Sequence, residues 1–351
     1  MIGDFNPQIV LLSFAISFLG AYVAIGSCEQ LRGIYLKYGR PNLADSWHWL
    51  SLIGLSIGGV AIWSMHFLGM SAMTLTDSSG NDVRIDFNVG VSIFSVFAAV
   101  LSVIGGVVVA SRDVMFAKSK AEILEFFVES ISLEEMINYT EFDILILLAT
   151  RRLTNLILGG CIAGSGVVIM HYIGMAAMEF PGQVHWNYGI IVASIVIAVV
   201  AGTAAFWIFF RLLSIYPDSE LLRLASALVM GIAVCGMHYI GMLAADFRID
   251  YTKTTELSWK AGTMDHADAL YPVLLAAMIL LWVFTMVVQA DLRSKISKYR
   301  VHLQKLSPNE KLSLVLLTAE NSGDEGDHNH GSRTNKVAVA PLPFDDNESP
   351  I

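Results

Sequence analysis

The chain has 351 residues, of which 55% are hydrophobic and only 15% are charged, and its mean hydropathy is +0.59. Soluble domains carry about 25% charged residues, so this composition argues against a soluble enzyme or a nucleic-acid-binding protein and predicts a polytopic membrane protein. The net charge of −9 says little about the membrane part, because Leu306–Ile351 holds eight acidic and three basic residues and contributes −5 of it.

Seven apolar runs predict seven membrane helices. They lie, in chain order, at about 8–27, 48–73, 88–111, 153–178, 188–210, 221–245 and 268–290. The first run has no basic segment before it, so we predict a membrane helix there rather than a cleaved signal peptide. The predicted fold is an all-α membrane protein in contact with the lipid bilayer.

The loops differ strongly in positive charge. Fifteen Lys and Arg residues fall on one predicted side of the membrane, and only Arg84, Arg248, Lys253 and Lys260 fall on the other. Because positively charged loops stay in the cytoplasm, the N-terminus is predicted to be outside and the C-terminus cytoplasmic. We expect a multi-pass protein of the plasma membrane, with an endomembrane as the alternative.

The chain is predicted to have three regions. Residues 1–250 form the main membrane domain, which carries a cytoplasmic insert at about 112–152. This insert mixes acidic and apolar residues at helical spacing, so either a membrane-surface or partner-binding helix or a solvated helical insert is expected. Residues 251–305 hold an outer loop, the seventh helix and a basic juxtamembrane segment, and residues 306–351 form an acidic tail that is expected to be disordered.

One short motif occurs three times. It reads MHFLGM at Met65–Met70, MHYIGM at Met170–Met175 and MHYIGM at Met237–Met242. The copies fall on the second, fourth and sixth runs, which predicts three two-helix repeats followed by a seventh helix. All three motif helices run outward in the predicted topology, so the motifs are expected at one depth in the outer leaflet.

Residues spaced i, i+4 and i+7 share one face of an α-helix. That face carries His66, His171 and His238, followed by Met70, Met73, Met175, Met178 and Met242, and it carries Gly59, Gly164 and Gly231 two turns deeper, where small residues favour close helix packing. Met65, Met170 and Met237 lie about 100° away from this face. Imidazole and thioether groups together suit copper, and thioethers favour Cu(I). Tyr172 and Tyr239 are additional candidates, because their hydroxyls could orient the ligating groups.

Two other interpretations of the motif stay open. The histidines could make interhelical hydrogen bonds while the methionines only pack, or two facing histidines could ligate a haem. Haem leaves the third histidine and the methionines without a role. No catalytic motif such as H-E-x-x-H, a Walker-type loop or a nucleophile elbow occurs, so the chain is not predicted to be an enzyme.

The triple motif on alternate membrane helices resembles the MHYT domain, and the resemblance covers about residues 8–242. That family is described as an integral-membrane sensor proposed to bind copper and to respond to dioxygen, carbon monoxide or nitric oxide. The resemblance implies nine ligands here, which are Met65, His66, Met70, Met170, His171, Met175, Met237, His238 and Met242. The chain departs from the name of the motif, because Leu68, Ile173 and Ile240 replace threonine and Phe67 replaces the first tyrosine.

Bacterial members commonly carry output enzymes after the domain, whereas this sequence resembles the stand-alone, fungal type. We therefore expect a multi-pass sensor with copper at the outer ends of helices 2, 4 and 6 and an unknown cytoplasmic signalling partner. It would sense a diatomic gas or the redox state. The alternatives are a copper transporter, which needs further polar or sulfur ligands toward the cytoplasm, and a metal-free membrane scaffold.

Overall fold

The computed structural model describes residues 4–39, 43–77, 79–113, 115–118, 150–216, 219–249, 263–265 and 270–305, and the single residues 122, 123, 125, 146 and 268. The expected tail and most of the expected insert lie outside the described residues. The chain divides into two compact units, Met1–Val287 and Val288–Ile351. The described part of the second unit is the end of the last helix. The bundle and the site belong to the first unit.

The described residues are mostly helical. The helices are α1 (Pro7–Tyr38), α2 (Leu43–Gly54), α3 (Met65–Ser71), α4 (Val89–Ala110), α5 (Thr154–Ala176), α6 (Tyr188–Trp207), α7 (Leu213–Ile215), α8 (Glu220–Met242) and α9 (Leu270–Lys305). Two π-helical segments, π1 (Leu55–Ser64) and π2 (Ile208–Leu212), join α2 to α3 and α6 to α7. π-helical segments are rare in proteins, and those that occur are often found at functional sites.

Six helical spans are long and apolar enough to cross a membrane. Among the described residues these are Pro7–Tyr38, Ser46–Ser71, Val89–Ala110, Thr154–Ala176, Tyr188–Ile215 and Glu220–Met242. The apolar part of α9, Tyr271–Val287, is shorter. The helical membrane protein expected from the sequence is therefore confirmed, whereas the count of seven spanning helices and the inside–outside orientation stay predictions.

The six spans pack as a closed ring. Helix α1 packs against the α2–π1–α3 span and against α8. Helix α4 packs against the α2–π1 part and against α5, and α6 packs against α5 and α8. The three spans that carry the motif also meet one another, because α3 contacts both α5 and α8. In the ring, each motif-bearing span therefore lies between two of the helices α1, α4 and α6.

Short antiparallel strands connect the helices at the end where the motifs lie, which we call the motif end. They are β1 (Asp4–Phe5), β2 (Met73–Thr76), β3 (Asp82–Val83), β4 (Asp86–Asn88), β5 (Met178–Glu179), β6 (Gly182–Trp186), β7 (Ala245–Ile249) and β8 (Thr263–Asp265). They form sheets in the orders β1-β2-β3, β5-β4-β8 and β6-β7. Each sheet pairs the strand before one helix with the strand after a motif helix.

This pairing repeats three times with the same backbone bond. The amides of Asn6, Asn88 and Asn187 donate to the carbonyls of Ala72, Ala177 and Ala244, each over 2.8 Å. Each asparagine side chain also accepts from the first turn of the helix that it begins, as good N-caps do. The start of α1, α4 and α6 is thereby fixed to the end of a motif helix.

The strands correct one part of the expected motif face. Helix α3 ends at Ser71 and α5 ends at Ala176, so Met73 and Met178 lie in strands rather than on the seventh residue of a helical face. The register pairs Phe5 with Met73 and Phe87 with Met178. The helical periodicity was extended past the helix ends, because the apolar sequence continues into the strands without a polar break.

Close helix packing depends on glycine, although not always on the glycine expected from the motif face. A Cβ on Gly164 would lie 2.8 Å from Ala198 and Val199, which confirms close approach of α5 to α6. The expected Gly59 has ordinary contact only, at 3.9 Å from Val100. Its neighbour Gly58 makes the close approach to α4, because a Cβ there would lie 2.7–2.8 Å from backbone atoms.

These two adjacent glycines provide a matched test of the packing. Gly58→Ala is expected to lower the free energy of unfolding by about 1–3 kcal/mol, because backbone of α4 must move to admit the methyl group. Gly59→Ala is expected to be neutral or mildly stabilising, since alanine favours helix and its methyl group would make only an ordinary contact with Val100. Thermal unfolding of both variants in one detergent checks this, and equal melting temperatures would contradict the described packing of π1 on α4.

Candidate metal centre

The histidines of the three motif copies meet inside the bundle. His66, His171 and His238 are 0%, 1% and 0% exposed. Each offers a ring nitrogen, and these nitrogens all lie within 4.8 Å of one another. The ring centroids are 5.0, 4.9 and 5.4 Å apart, with the ring planes steeply inclined to one another. Residues that are 105 and 67 positions apart thus form one compact cluster.

A glycine from the next copy supports each imidazole. A Cβ on Gly174 would lie 2.3 Å from Nε2 of His66, one on Gly241 2.4 Å from Nε2 of His171, and one on Gly69 2.3 Å from Nε2 of His238. The contacts form a closed cycle. The histidine of copy one contacts the glycine of copy two, that of copy two the glycine of copy three, and that of copy three the glycine of copy one. Any larger residue at these three glycines would displace a ring.

The histidine nitrogens are poorly satisfied by the protein. Within the described part of the chain, Nε2 of all three rings and Nδ1 of His171 are buried without a hydrogen-bond partner. The remaining two, Nδ1 of His66 and Nδ1 of His238, face each other at 3.0 Å. Buried polar groups are normally paired, and an unpaired one costs about 1–3 kcal/mol. Four such atoms in one cluster make it a candidate binding site for a metal ion.

The geometry fits a metal ion. Histidine nitrogens bind metals such as zinc at roughly 2.0–2.1 Å, which places nitrogens that share an ion roughly 3.3–3.6 Å apart. The observed 3.0 Å separation and the 4.8 Å limit enclose that range. The cluster needs only small ring movements to place three nitrogens on one ion. His48 and His185 lie outside this cluster.

The methionines of the motif lie in the same buried region. Met65, Met70, Met170, Met175, Met237 and Met242 are all 3% exposed or less. Met73 and Met178 are also buried, but they belong to strands β2 and β5. The histidines therefore lie in a core rich in thioether side chains, which makes the surroundings soft and polarisable.

The hydroxyls of the two tyrosines bond to serines of neighbouring helices, and the expected role of Tyr172 and Tyr239 beside a metal stays a prediction. The Tyr172 hydroxyl bonds to Oγ of Ser194 at 2.8 Å, and the Tyr239 hydroxyl bonds to Oγ of Ser13 at 3.1 Å. Each tyrosine ring meets the edge of the histidine before it, with centroids 4.9 and 4.8 Å apart. The tyrosines thus tie each motif helix to a neighbouring helix through its serine.

The first copy also bonds an aromatic side chain to a serine of a neighbouring helix, but it uses a different residue. Phe67 has no hydroxyl, and Trp63, one turn earlier, donates its indole hydrogen to Oγ of Ser95 at 3.0 Å. The Phe67 and Trp63 rings are 4.9 Å apart. Ser13, Ser95 and Ser194 each lie seven residues after one of the three capping asparagines. An aromatic residue bonded to this serine is thus a feature of every copy.

Three aromatic pairs connect the strands to the histidine cluster. The ring centroids of Phe5 and Tyr239 are 5.6 Å apart, those of Phe87 and Phe67 5.5 Å, and those of Trp186 and Tyr172 5.7 Å. All three pairs have edge-to-face geometry, which is favourable for aromatic rings. Each pair thus joins a strand residue to the residue that follows a motif histidine.

Sequence reasoning missed this second repeat, although its signal is present. The tripeptide Asp-Phe-Asn occurs at residues 4–6 and again at residues 86–88, and His-Trp-Asn occurs at residues 185–187. Each precedes a helix that carries a serine seven residues after the asparagine. A search for internal repeats before all three helix pairs, and not only at the histidines, would have found it.

Comparison with known families places these repeats. The chain matches MHYT, described as "Bacterial signalling protein N terminal repeat", at residues 59–118, 164–217 and 231–295. Each matched region begins seven residues before a motif histidine, and together they cover just over half of the chain. The chain belongs to the MHYT family. It is therefore an integral-membrane protein related to signalling proteins.

Curated relatives of this MHYT chain are much longer proteins. It is 33% identical over 252 residues to the bifunctional diguanylate cyclase/cyclic di-GMP phosphodiesterase MucR of Pseudomonas aeruginosa, covering 70% of this chain and 29% of MucR. It is 28% identical over 249 residues to the signaling protein YkoW of Bacillus subtilis, covering 70% of this chain and 25% of YkoW. The chain thus spans less than a third of these relatives. No solved structure matches it.

A glycine-to-alanine substitution, which adds one methyl group, tests the contact between a glycine and an imidazole in this MHYT protein. Gly174→Ala is expected to displace the His66 ring, because the new Cβ would lie 2.3 Å from its Nε2. Gly236→Ala is the matched control, since it lies in a motif helix and meets nothing within 4 Å. Nitrogen NMR of labelled histidine should show changed imidazole signals only for Gly174→Ala. Identical spectra for the two variants would refute the described contact.

Proposed function

We propose that this MHYT chain is a membrane sensor that holds one copper ion on His66, His171 and His238. The observation that carries the proposal is the convergence of three buried imidazoles, in which four of six ring nitrogens lack a partner among the described residues. A metal ion would bind one nitrogen of each imidazole and so lower the penalty of burying the three rings. The cluster provides several nitrogen ligands for a metal, and without a metal an apolar core would not favour these unpaired polar groups.

The surroundings favour copper over harder ions. Imidazole nitrogens bind copper and zinc, whereas thioethers select Cu(I). The buried methionines of the motif, above all Met70, Met175 and Met242 one turn after each histidine, are the sulfur ligands that we propose beside the nitrogens. No carboxylate belongs to the cluster, which disfavours magnesium and calcium. Bound copper would supply a redox-active centre that can take a diatomic gas as a further ligand.

The protein's own residues prepare the centre. The three glycines fix the imidazole planes, because they leave room for a ring against the neighbouring backbone and for nothing larger. The three imidazoles are at most 1% exposed, so bulk water does not reach the centre. An uncharged gas such as dioxygen, carbon monoxide or nitric oxide crosses apolar surface more readily than a hydrated ion does, so a dry centre suits a gas as the signal.

Signalling then requires that the centre change the helix packing. A ligand can shift an equilibrium only by its difference in affinity for two states. The histidines lie on three different spans, so a change in their coordination changes the positions of α3, α5 and α8 relative to one another. The relatives named above are signalling proteins. We propose that this chain acts as the sensor part and reports to a cytoplasmic partner, with no catalysis of its own.

Metal content measured by mass spectrometry tests the proposal. The purified protein, reconstituted with Cu(I) under reducing conditions, is expected to hold about one copper per chain. The variant His66→Gln/His171→Gln/His238→Gln is expected to hold none. His185→Ala is the matched control, because His185 is exposed on β6 outside the cluster, and its copper content should equal that of the parent.

Two outcomes would overturn the copper centre. Equal copper in the parent and in the triple variant would show that the ion binds elsewhere. Negligible copper in both, with the triple variant folded as judged by its melting curve, would leave the histidines as packing residues and support the scaffold alternative. Gas binding is then examined by infrared spectroscopy of the Cu(I)-loaded parent under carbon monoxide, and the absence of a bound carbon monoxide stretch would contradict a gas-binding copper centre.

A further inference from the structure

The end of the bundle opposite the motifs contains a buried ion pair that the proposed copper centre does not use. Arg211, in the π2 segment after α6, donates from Nε and from an Nη to the two carboxylate oxygens of Asp113, over 2.8 and 2.7 Å. Both side chains are fully buried. Asp113 follows the end of α4, and its carboxylate also accepts from the amide of Met115.

The energetics of such a pair point to a role beyond stability. Withdrawing two charges from water is costly, and well-packed apolar residues often stabilise a protein as much as a buried ion pair does. Loss of one partner, by contrast, is strongly destabilising because the other charge is left alone. In some proteins a buried polar or ionic group specifies one arrangement of the elements that it joins, and this is the role that we infer for the pair.

The elements joined here are the two ends of one chain segment. Asp113 immediately precedes residues 114–149, and Thr150, Arg151 and Arg152 follow them. The guanidinium of Arg211 donates to the Arg151 carbonyl at 2.9 Å and approaches the Arg152 carbonyl at 3.4 Å. Arg152 has a positive φ of 55°, an unfavourable conformation for arginine. One side chain of the α6 span thus holds both ends of the segment between α4 and α5.

Further contacts fix the first of these ends. Arg32 of α1 donates to the carbonyls of Lys118 and Ser214, at 3.1 and 3.4 Å. The Phe116 ring lies between Tyr35 and Phe210, with centroid distances of 5.1 and 4.6 Å. Asp113 and residues 115–118 are therefore packed into the bundle, where a movement of its helices would reach them.

The same two helices connect this pair to the motif end. Helix α4 carries Ser95, which is bonded by Trp63 of the first motif span, and α6 carries Ser194, which is bonded by Tyr172 beside His171. Seventeen residues separate Ser194 from Arg211, which corresponds to about 26 Å of helix. A displacement between the first and second motif copies would therefore move Asp113 relative to Arg211.

We propose that the Arg211–Asp113 pair is a latch that couples the packing of α4 and α6 to the described residues at the two ends of the connection between α4 and α5, which are 113, 115–118 and 150–152. In the latched state the guanidinium pins both ends of the segment. Relative movement of α4 and α6 breaks the bidentate bond and releases the two ends together. The direction of signalling rests on the proposed sensor function, whereas the latch itself is defined by these contacts alone.

Hydrogen–deuterium exchange of the full chain in lipid nanodiscs tests the latch. Asp113→Asn keeps the shape of the side chain and removes its charge. It is expected to speed exchange at least about tenfold, equivalent to 1.4 kcal/mol, in peptides covering both residues 113–118 and 150–153. Residues 66–72 should be unchanged. Asp246→Asn is the matched control, because it breaks the exposed pair between Asp246 and Arg248.

Unchanged exchange at both ends, or faster exchange at one end only, would overturn the proposal. Arg211→Lys provides a second variant if Asp113→Asn does not fold, because lysine keeps the charge and lacks the fork that holds Asp113 and the Arg151 carbonyl at once. It should release both ends in the same way.

A second comparison tests transmission from the motif end. Binding of Cu(I), and separately the Gly174→Ala substitution, should change exchange at both ends in the parent background and have less than half that effect in the Asp113→Asn background. If neither perturbation reaches the ends, the latch carries no signal and the proposal fails. If Gly174→Ala reaches them and no copper binds, the latch stands and only the copper centre fails.

Discussion

The structure depends on burying three neutral imidazoles in an apolar bundle with most of their nitrogens unpaired. An unpaired polar group in such surroundings costs on the order of a few kcal/mol, and no other part of the described chain groups so many unpaired buried side-chain atoms. The glycines at positions 69, 174 and 241 make room for the three imidazoles, because each ring lies where a larger residue would place its Cβ. The strands, capping asparagines and bonded serines then hold the three spans at the separation that the rings require.

Threefold repetition makes this arrangement tolerant of change in one copy. The first copy lacks the tyrosine, and Trp63 supplies the bond to Ser95 from one turn earlier while its ring packs on Phe67. The bonded serine is thus the preserved feature, and the residue that reaches it varies. The same logic explains why Ala245 can pair with Trp186 where the other copies place Met73 and Met178 against phenylalanine.

The sequence predicted the helical membrane fold and singled out the three histidines, because both depend on local patterns that repeat. It misassigned Met73 and Met178, because apolar periodicity does not show where a helix gives way to a strand. It named Gly59 where Gly58 makes the contact, since the partner helix decides which face is crowded. The Arg211–Asp113 pair joins residues 98 positions apart with no periodic signal, so only the folded chain reveals it.

The cycle of histidine and glycine contacts has a further consequence. Each two-helix unit offers a ring to the next unit and a groove to the previous one, which is the head-to-tail relation of subunits in a closed cyclic oligomer. The chain is in effect a trimer whose protomers have been joined covalently. Such a ring has no stable partial form, because two units leave one imidazole without a groove and one groove without an imidazole. The three copies must therefore be kept or lost together.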